Sequence, residues 1–308
     1  MIKLSIIIPH YNSPNMLQKL LESIPERLDL EVIVVDDNSN QEVELLQQLQ
    51  ENGKHSRVQF YVNHTGKKGA GVARNVGLSH AVGEWLLFAD ADDCFVEGFY
   101  EIVQKHMDDG VELVFFPPTS RDLDRGQLSN RHLFFEQLVM NYVRDATIEA
   151  ELKLRYSYHS PWSKMVRRSL IVEYAIEFDD SFVANDIMYS VKIGYYSKGF
   201  AVSDKIIYCI HTHGEGLTRN LTEEKFDIRL QVEMNKYEFL RQRLRTEELK
   251  LLDINILQYL TMLREHRLGK PSKYITTFSN LKRRGIPLVE KNLRSPGYIM
   301  EKVAARFQ

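Results

Sequence analysis

Residues 30–40 read LEVIVVDDNSN: six residues dominated by Val, Ile and Leu, then two aspartates and a polar cluster. A short, continuous run of β-branched and aliphatic residues suits a strand covered on both faces. The stretches on either side, NMLQKLLESI (15–24) and QEVELLQQLQ (41–50), carry helical spacing instead. Moving outward, KLSIIIP (3–9), RVQFYVN (57–63) and EWLLFAD (84–90) repeat the strand pattern, and GVARNVGLSHAV (71–82) repeats the helical one. Strand and helix in alternation predict an α/β fold: a mostly parallel, Rossmann-like sheet sandwiched by helices. Ligands of such sheets bind beyond the carboxyl ends of the strands. The polar clusters fall there: PHYN, DDNSN, NHTGKKG and DADD follow the first four strands in turn.

Beyond VELVFFPP (111–118) the pattern loosens into a polar loop (119–131) and a helical stretch (132–143); from SPWSKMVRRSLI (160–171) onward it reads as a loop, two helices and a strand pair ending in CIHTHGEG (209–216). From Thr222 the signal is helical, broken near Gly269 and Gly285. These changes divide the chain into an α/β domain over 1–221 and a helical, basic extension over 222–308.

With 44% hydrophobic and 27% charged residues the chain reads as globular. No apolar run approaches the roughly 20 residues that cross a bilayer. The opening MIKLSIIIPHYN has too short an apolar run for a secretion signal and reads as a first buried strand. Two cysteines, Cys94 and Cys209, cannot form a zinc cluster alone, and nothing suggests a disulfide scaffold. A reducing cytoplasm is the expected location. The net charge of −2 conceals an asymmetry: residues 262–308 hold 11 Lys/Arg against 3 Asp/Glu. A basic tail on an acidic body points to an anionic surface, membrane or nucleic acid, or else to a solvated helical face.

Several constellations could carry chemistry. WLLFADADDCF (85–95) drives an apolar strand into Asp90, Asp92 and Asp93. If the strand continues, Asp90 and Asp92 share a face, and a hard cation, Mg²⁺ or Mn²⁺, would offset their repulsion. The alternative is a solvated acidic turn, with Asp93 capping the helix that VEGFYEIVQKHM begins. Asp36 and Asp37 can accept hydrogen bonds from a ribose or a base, while Asn38 or Ser39 caps the next helix. In GKKGAGVARNVG (66–77) backbone amides and Lys68 can face phosphates; Arg74 can do so too, or pair with an aspartate at a neighbouring strand end. Asp186 in VANDIMYS is a candidate general base or a helix cap. Lys164 and Arg167 can meet phosphate or solvent, and His211 and His213 can complete a metal site, touch diphosphate or be ordinary surface histidines.

Singly these signals are weak, but their order is distinctive. SIIIPHYN, EVIVVDDNSN, GAGVARNVGL, EWLLFADADD, PWSKMVRRSLI and FDDSFVANDIMYS, in that succession, closely resemble the family 2 glycosyltransferases of the GT-A fold. The resemblance runs from Met1 to about Arg219. It implies an inverting, metal-dependent hexosyl- or N-acetylhexosaminyl-transferase, with a UDP-sugar the favoured donor. The acceptor would be a glycan or lipid-linked saccharide in cell-surface polysaccharide synthesis, and no nucleic acid is implied. By the same resemblance Pro9 and Tyr11 flank the base, Asp37 or Asp36 bonds it, and Lys68, Arg74 and Lys164 line the nucleotide pocket. Asp90 faces the ribose or sugar, Asp92 ligates Mn²⁺ or Mg²⁺, and Asp186 is the base. His213 or His211 falls where some relatives supply a further metal contact. One departure stands out: the family usually shows Glu-Asp where this chain has Asn185-Asp186.

Three other readings compete. An inactive scaffold that binds nucleotide-sugar or glycan would fit the Asn185 departure. A nucleotidyltransferase would want a glycine-rich basic loop after the first strand, which PHYNSPN does not provide, and a phosphatase with an Asp-x-Asp nucleophile would carry its acids after the first strand, not the fourth. The tail is expected to meet an anionic membrane at the inner face, or to pack on a partner helix or a second copy.

Overall fold

A computed structural model describes residues 1–51, 57–212, 222–268 and 270–288. The chain divides into two compact units, Met1–Arg219 and Asn220–Gln308. The first unit opens with β1 (Leu4–His10), α1 (Pro14–Glu22), β2 (Leu30–Asp36), α2 (Val43–Glu51), β3 (Val58–Val62), α3 (Ala70–His80) and β4 (Trp85–Phe88). There follow β5 (Cys94–Phe95), α4 (Phe99–Gln104), β6 (Leu113–Phe115), β7 (Thr119–Asp122), β8 (Gln127–Leu128), α5 (Leu133–Arg144) and α6 (Ile148–Ser157). It closes with β9 (Lys164–Arg167), α7 (Arg168–Glu173), α8 (Ile187–Tyr196), β10 (Phe200–Val202) and β11 (Tyr208–Thr212).

The main sheet has seven strands in the order β10-β6-β9-β4-β1-β2-β3. Every described pairing in it is parallel except those of β9, which runs antiparallel between β4 and β6. The mostly parallel α/β architecture is therefore as expected. β1, β2 and β4 are buried at every residue, which explains why their sequences run apolar without alternation. A core of Ile6, Ile7, Ile33, Val34, Leu87 and Phe88, all fully buried, fixes the register of the central strands.

The second half was harder to anticipate. The polar loop at 119–131 contains β7 and β8, which join β5 and β11 in a separate sheet ordered β5-β11-β7-β8. The strand pair expected at the end of the unit is divided: β10 belongs to the main sheet and β11 to the small one. β9 replaces what reads as loop and helix in PWSKMVRRS.

The second unit holds α9 (Glu223–Arg241), α10 (Thr246–Leu251), α11 (Ile256–Glu265) and α12 (Pro271–Arg283). Its interior includes Phe226, Leu240, Leu263 and Leu281, each nearly or fully buried. Among the described residues, no helix is long and apolar enough to cross a membrane.

Candidate active site

The loops beyond β1 and β2 are tied together. The Asn12 amide donates to Ser39 Oγ at 2.9 Å, and the Asn40 amide to Asn12 Oδ1 at 2.8 Å. Asp36, at the end of β2, is buried. His10 Nδ1 lies 3.0 Å from its Oδ1, and the Ser39 amide donates to Oδ2 at 3.1 Å. His10 Nε2 accepts from the Ser13 amide at 3.2 Å, so Nδ1 carries the proton and donates to Asp36. Burial works to raise the Asp36 carboxyl, but the His10 and Ser39 bonds more than offset it and hold it below the usual range. Ser39 is thus occupied with Asp36 and Asn12. Asn38 Nδ2 donates to Asn63 O at 2.8 Å, and α2 begins only at Val43. Neither Asn38 nor Ser39 is the helix cap expected from sequence.

Asp37 is also buried. Its Oδ1 accepts from Asn63 Nδ2 at 2.6 Å and its Oδ2 from the Gly69 amide at 2.7 Å. Gly69 has φ +131°, a conformation that favours glycine, so the amide can turn back to the carboxylate. This shapes the glycine-rich loop from the β2 side. Asn63 follows β3 directly, and a polar residue at a strand's carboxyl end was the available signal for it. Pro9 lies within buried β1, whereas Tyr11 is 48% exposed just past the strand. Lys68 Nζ sits 5.6 Å from the Tyr11 ring centroid, within cation–π range.

The acidic stretch departs from expectation in two ways. β4 ends at Phe88, and Ala91 and Asp92 form a turn, so Asp90 and Asp92 do not share a strand face. Asp93 caps no helix: α4 begins at Phe99 behind Gly98, with no side-chain cap. Asp93 is buried and grips the small sheet, accepting from Tyr208 Oη at 2.7 Å and from the His211 amide at 2.8 Å. Burial, aided by the charges of Asp90 and Asp92, pushes its carboxyl well up. Tyr208 Oη also accepts from the Asp90 amide at 2.9 Å. Tyr208 is an organiser with no local sequence signal, since its partners lie more than a hundred residues away. Asp92 itself is half-buried, and its carbonyl faces His211 Nδ1 at 3.0 Å.

Arg74 is buried in α3 and makes the link that draws the site together. Its Nη2 pairs with Asp90 Oδ1 at 2.5 Å, and its Nη1 donates to Asn185 Oδ1 at 3.0 Å. Of the two readings open for Arg74, the aspartate pair is the one observed. Asn185 is held further by Nδ2 donating to Ser181 O at 3.3 Å. The segment 179–185 reaches α3 because residue 71 is glycine: a Cβ there would collide with Asp179 O and Asn185 Cβ. Ala184, at φ +57°, makes the reversal into Asn185-Asp186, an uncommon conformation for a residue other than glycine.

Asp186 occupies the N-cap position of α8 but its side chain makes no capping bond. Burial raises its carboxyl above the usual aspartate range; Arg74 and Lys164 pull it back, and Asp90 adds to the rise. Lys164, expected at phosphate or solvent, is 1% exposed. Its ammonium donates to Tyr158 O and Ser190 Oγ, both at 2.8 Å, below the first turn of α8. Burial pulls it down to about 7, with Asp186 opposing. Lys164 therefore meets neither phosphate nor solvent, because its side chain ends inside the core on Tyr158 and Ser190. Arg167 is likewise committed, donating to Met107 O at 2.8 Å and pairing with Glu84 at 3.3 Å. His213 lies outside the described residues.

The comparisons agree with this architecture. A glycosyl transferase family 2 model matches residues 5–174, more than half of the chain. The chain belongs to that family. It is 35% identical over 116 residues to the GalNAc(5)-diNAcBac-PP-undecaprenol β-1,3-glucosyltransferase of Campylobacter jejuni, a match covering 37% of this chain and 37% of that protein. The similarity to the putative glycosyltransferase EpsH of Bacillus subtilis is 23% over 305 residues, covering 95% of this chain and 86% of that one. Among the first curated relatives the match spans as little as 17% of the relative's length. In fold, the chain is similar to TarS 1–349 of S. aureus in complex with UDP-GlcNAc, with a TM-score of 0.67, 21% identity and coverage of 93% of this chain and 82% of that one. It is also similar to the mannosyltransferase PcManGT of Pyrobaculum calidifontis in complex with GDP-Man and Mn²⁺, with a TM-score of 0.58, 18% identity and coverage of 99% and 81%.

Proposed function

We propose that this chain is a glycosyltransferase that inverts configuration, moving a hexosyl or N-acetylhexosaminyl group from a nucleotide diphosphate sugar, UDP-linked by preference, to a hydroxyl of a glycan or lipid-linked saccharide. The observation that carries the reading is the Arg74 bridge. One guanidinium holds Asp90, at the end of β4, and Asn185, beside Asp186. Donor-side acid and candidate base, far apart in sequence, therefore share one fixed frame.

Tyr11 offers an exposed ring to the base, and Lys68, 5.6 Å from that ring's centre and exposed, offers a cation to the diphosphate. Asp37 serves indirectly, by fixing the Gly69 amide and with it the loop that leads to α3. Asp36 is read as a latch for the β1 and β2 loops, since its carboxylate is engaged within the protein. Asp186 takes the acceptor proton as the acceptor oxygen bonds to the anomeric carbon from the face opposite the diphosphate. The bond from that carbon to the diphosphate oxygen breaks and its electron pair leaves with the nucleotide. A carboxyl raised by burial is a better proton acceptor than an ordinary aspartate once ionised.

The acidic turn fits a hard divalent ion. Oxygen ligands are its donor set, Asp92 is half-buried rather than sealed, and the charges of Asp90 and Asp92 add to the burial that pushes Asp93 up. Asp92 would hold Mn²⁺ or Mg²⁺, which when bound supplies positive charge against the leaving diphosphate. Asn185 is tied into the same frame, its carbonyl accepting from Arg74 at 3.0 Å, which supports the transferase reading over an inactive scaffold.

The relatives support a role in cell-surface glycan synthesis: the Campylobacter protein is named for an undecaprenol-linked acceptor. A membrane-bound acceptor would suit the extension. The solvent side of α12 carries Ile275, 69% exposed, and Phe278, 37% exposed, with exposed Lys282 and Arg283 in its last turn. An exposed apolar stripe with cations is the surface that rests on anionic lipid. The test of the whole reading is a screen of nucleotide sugars with Mn²⁺ by thermal shift, followed by transfer assays on lipid-linked acceptors and NMR of the anomeric product. Transfer with retained configuration, or no donor that stabilises the protein, would overturn it.

A further inference from the structure

The small sheet carries a second cluster that sugar transfer does not use. β5 and β11 are antiparallel, with Cys94 paired directly to Cys209. His211 lies two residues beyond Cys209 on the same strand, so both side chains emerge on one face. Cys94 Sγ is 3.4 Å from His211 Nε2, and one ligand atom from each of the three residues lies within 4.8 Å of the others. All three residues are half-buried, reachable from solvent without being immersed in it.

Two features separate this cluster from an accidental meeting of small apolar thiols. The first is spacing. Tetrahedral zinc, with Zn–S about 2.3 Å and Zn–N about 2.0–2.1 Å, needs an S···N edge of roughly 3.6 Å and an S···S edge of roughly 3.8 Å. The Cys94–His211 separation of 3.4 Å lies close to the first of these edges, and all three ligand atoms fall within 4.8 Å of one another. The second is the orientation of the imidazole. Nδ1 faces the Asp92 carbonyl at 3.0 Å, and a carbonyl can only accept, so Nδ1 carries the proton and Nε2 turns its lone pair towards the sulfur atoms. Metal-binding histidines are generally held by this kind of bond from the other ring nitrogen.

We propose that Cys94, Cys209 and His211 form a binding site for a thiophilic cation of the Zn²⁺ class, with its fourth position open. On binding, each thiol releases its proton to solvent as a sulfur–metal bond forms, so no oxidant or reductant is needed. The ligand set is soft, and the Asp92 carboxylate is hard, so the two sites select different metals. They meet in one residue: the Asp92 carbonyl steadies the imidazole of the soft site, and its side chain is assigned to the hard one. A filled soft site would pin the Asp92 backbone. This assignment does not depend on the sugar-transfer reading.

The experiment uses the full-length protein, reduced with a phosphine, stripped with a chelator and titrated with Co²⁺ as a spectroscopic stand-in for Zn²⁺. One equivalent is expected to give thiolate-to-cobalt charge-transfer absorption with tetrahedral ligand-field bands, both erased by Zn²⁺. Against a chromophoric chelator, Cys209→Ser and His211→Gln are each expected to lose more Zn²⁺ affinity than the about 10–100-fold typical of removing an outer-shell partner. Circular dichroism confirms that the variants are folded. A weak octahedral Co²⁺ spectrum without charge transfer in the wild type would overturn the proposal, whatever the variants do. So would equal Zn²⁺ affinity in folded Cys209→Ser and wild type.

Discussion

Arg74 and Asp90 meet at 2.5 Å where α3 and the turn beyond β4 converge, and the arginine is the more deeply buried of the two. The pair fixes Asp90 from the inside while leaving part of it open to a ligand. A lysine could keep the charge but not the second donor to Asn185, because only the guanidinium fork reaches both. Arg74→Lys is therefore expected to lower transfer by about 10²-fold, the scale of a roughly 1 Å misplacement. Its donor affinity should fall less. Steady-state kinetics beside calorimetry of UDP binding would show the split, and unchanged kcat would remove Arg74 from the frame.

Asp186→Asn is expected to cut kcat by about 10²–10⁴-fold, the usual range for losing a general base, with nucleotide binding nearly kept. The wild-type pH profile carries a second mark. The base must be ionised to work, and burial raises its carboxyl, so activity should fall away on the acid side at higher pH than an ordinary aspartate would give. An acidic limb at or below the ordinary aspartate range would contradict the assignment.

Asn185→Glu would restore the acid the family usually carries. It would add a negative charge beside Asp186, and like charges raise one another. The acidic limb of the rate profile is expected to move to higher pH than in the wild type. A profile that does not move, in a variant shown to be folded, would mean that residue 185 does not act on the base.

Asp92→Ala should abolish the rise in Tm that UDP and Mn²⁺ together give the wild type, since a ligand stabilises only what it binds. The comparison is thermal shift with UDP alone, Mn²⁺ alone and both. An undiminished joint shift would move the hard-metal role elsewhere.

Lys164 makes a prediction about stability. Its folded-state value is lowered to about 7, whereas an exposed lysine in the unfolded chain titrates near 10.5. Between those values the unfolded chain binds more protons, so stability rises with pH, by at most about 1.4 kcal/mol per pH unit for one group. The penalty is complete below pH 7 and relieved as the pH approaches the unfolded value. Denaturation curves from pH 7 to 9 should therefore diverge between the wild type and Lys164→Met, the variant lacking this rise. Parallel curves would contradict the buried ammonium.

The first four strands, their intervening helices and the acids at their ends were legible in the sequence because each is a local pattern: continuous apolar runs, helical spacing, polar clusters at strand ends. Residues whose role comes from distant partners were not. Lys164 reads as a surface cation until Tyr158 and Ser190 enclose it. Asp93 looks like a cap for the nearest helix, but Tyr208 and His211, far along the chain, determine its use. β9 escaped notice because four residues rich in cations give too short a run to read as a strand, and its place is decided by the open edges of β4 and β6. Asn185 was visible as a departure, though the bond it accepts from Arg74 was not.

The antiparallel insertion of β9 also has a consequence in time. β1 to β4 can assemble among themselves, but β6 borders only β9 and β10 in the sheet. As the chain leaves the ribosome, β6 therefore waits without a neighbour until residues 164–167 have emerged. The half of the unit built on β1 to β4 can form early. The half that brings residues 185 and 186 to Arg74 must come late, so a prematurely ended chain would carry β1 to β4 and leave Arg74 without its Asn185 partner.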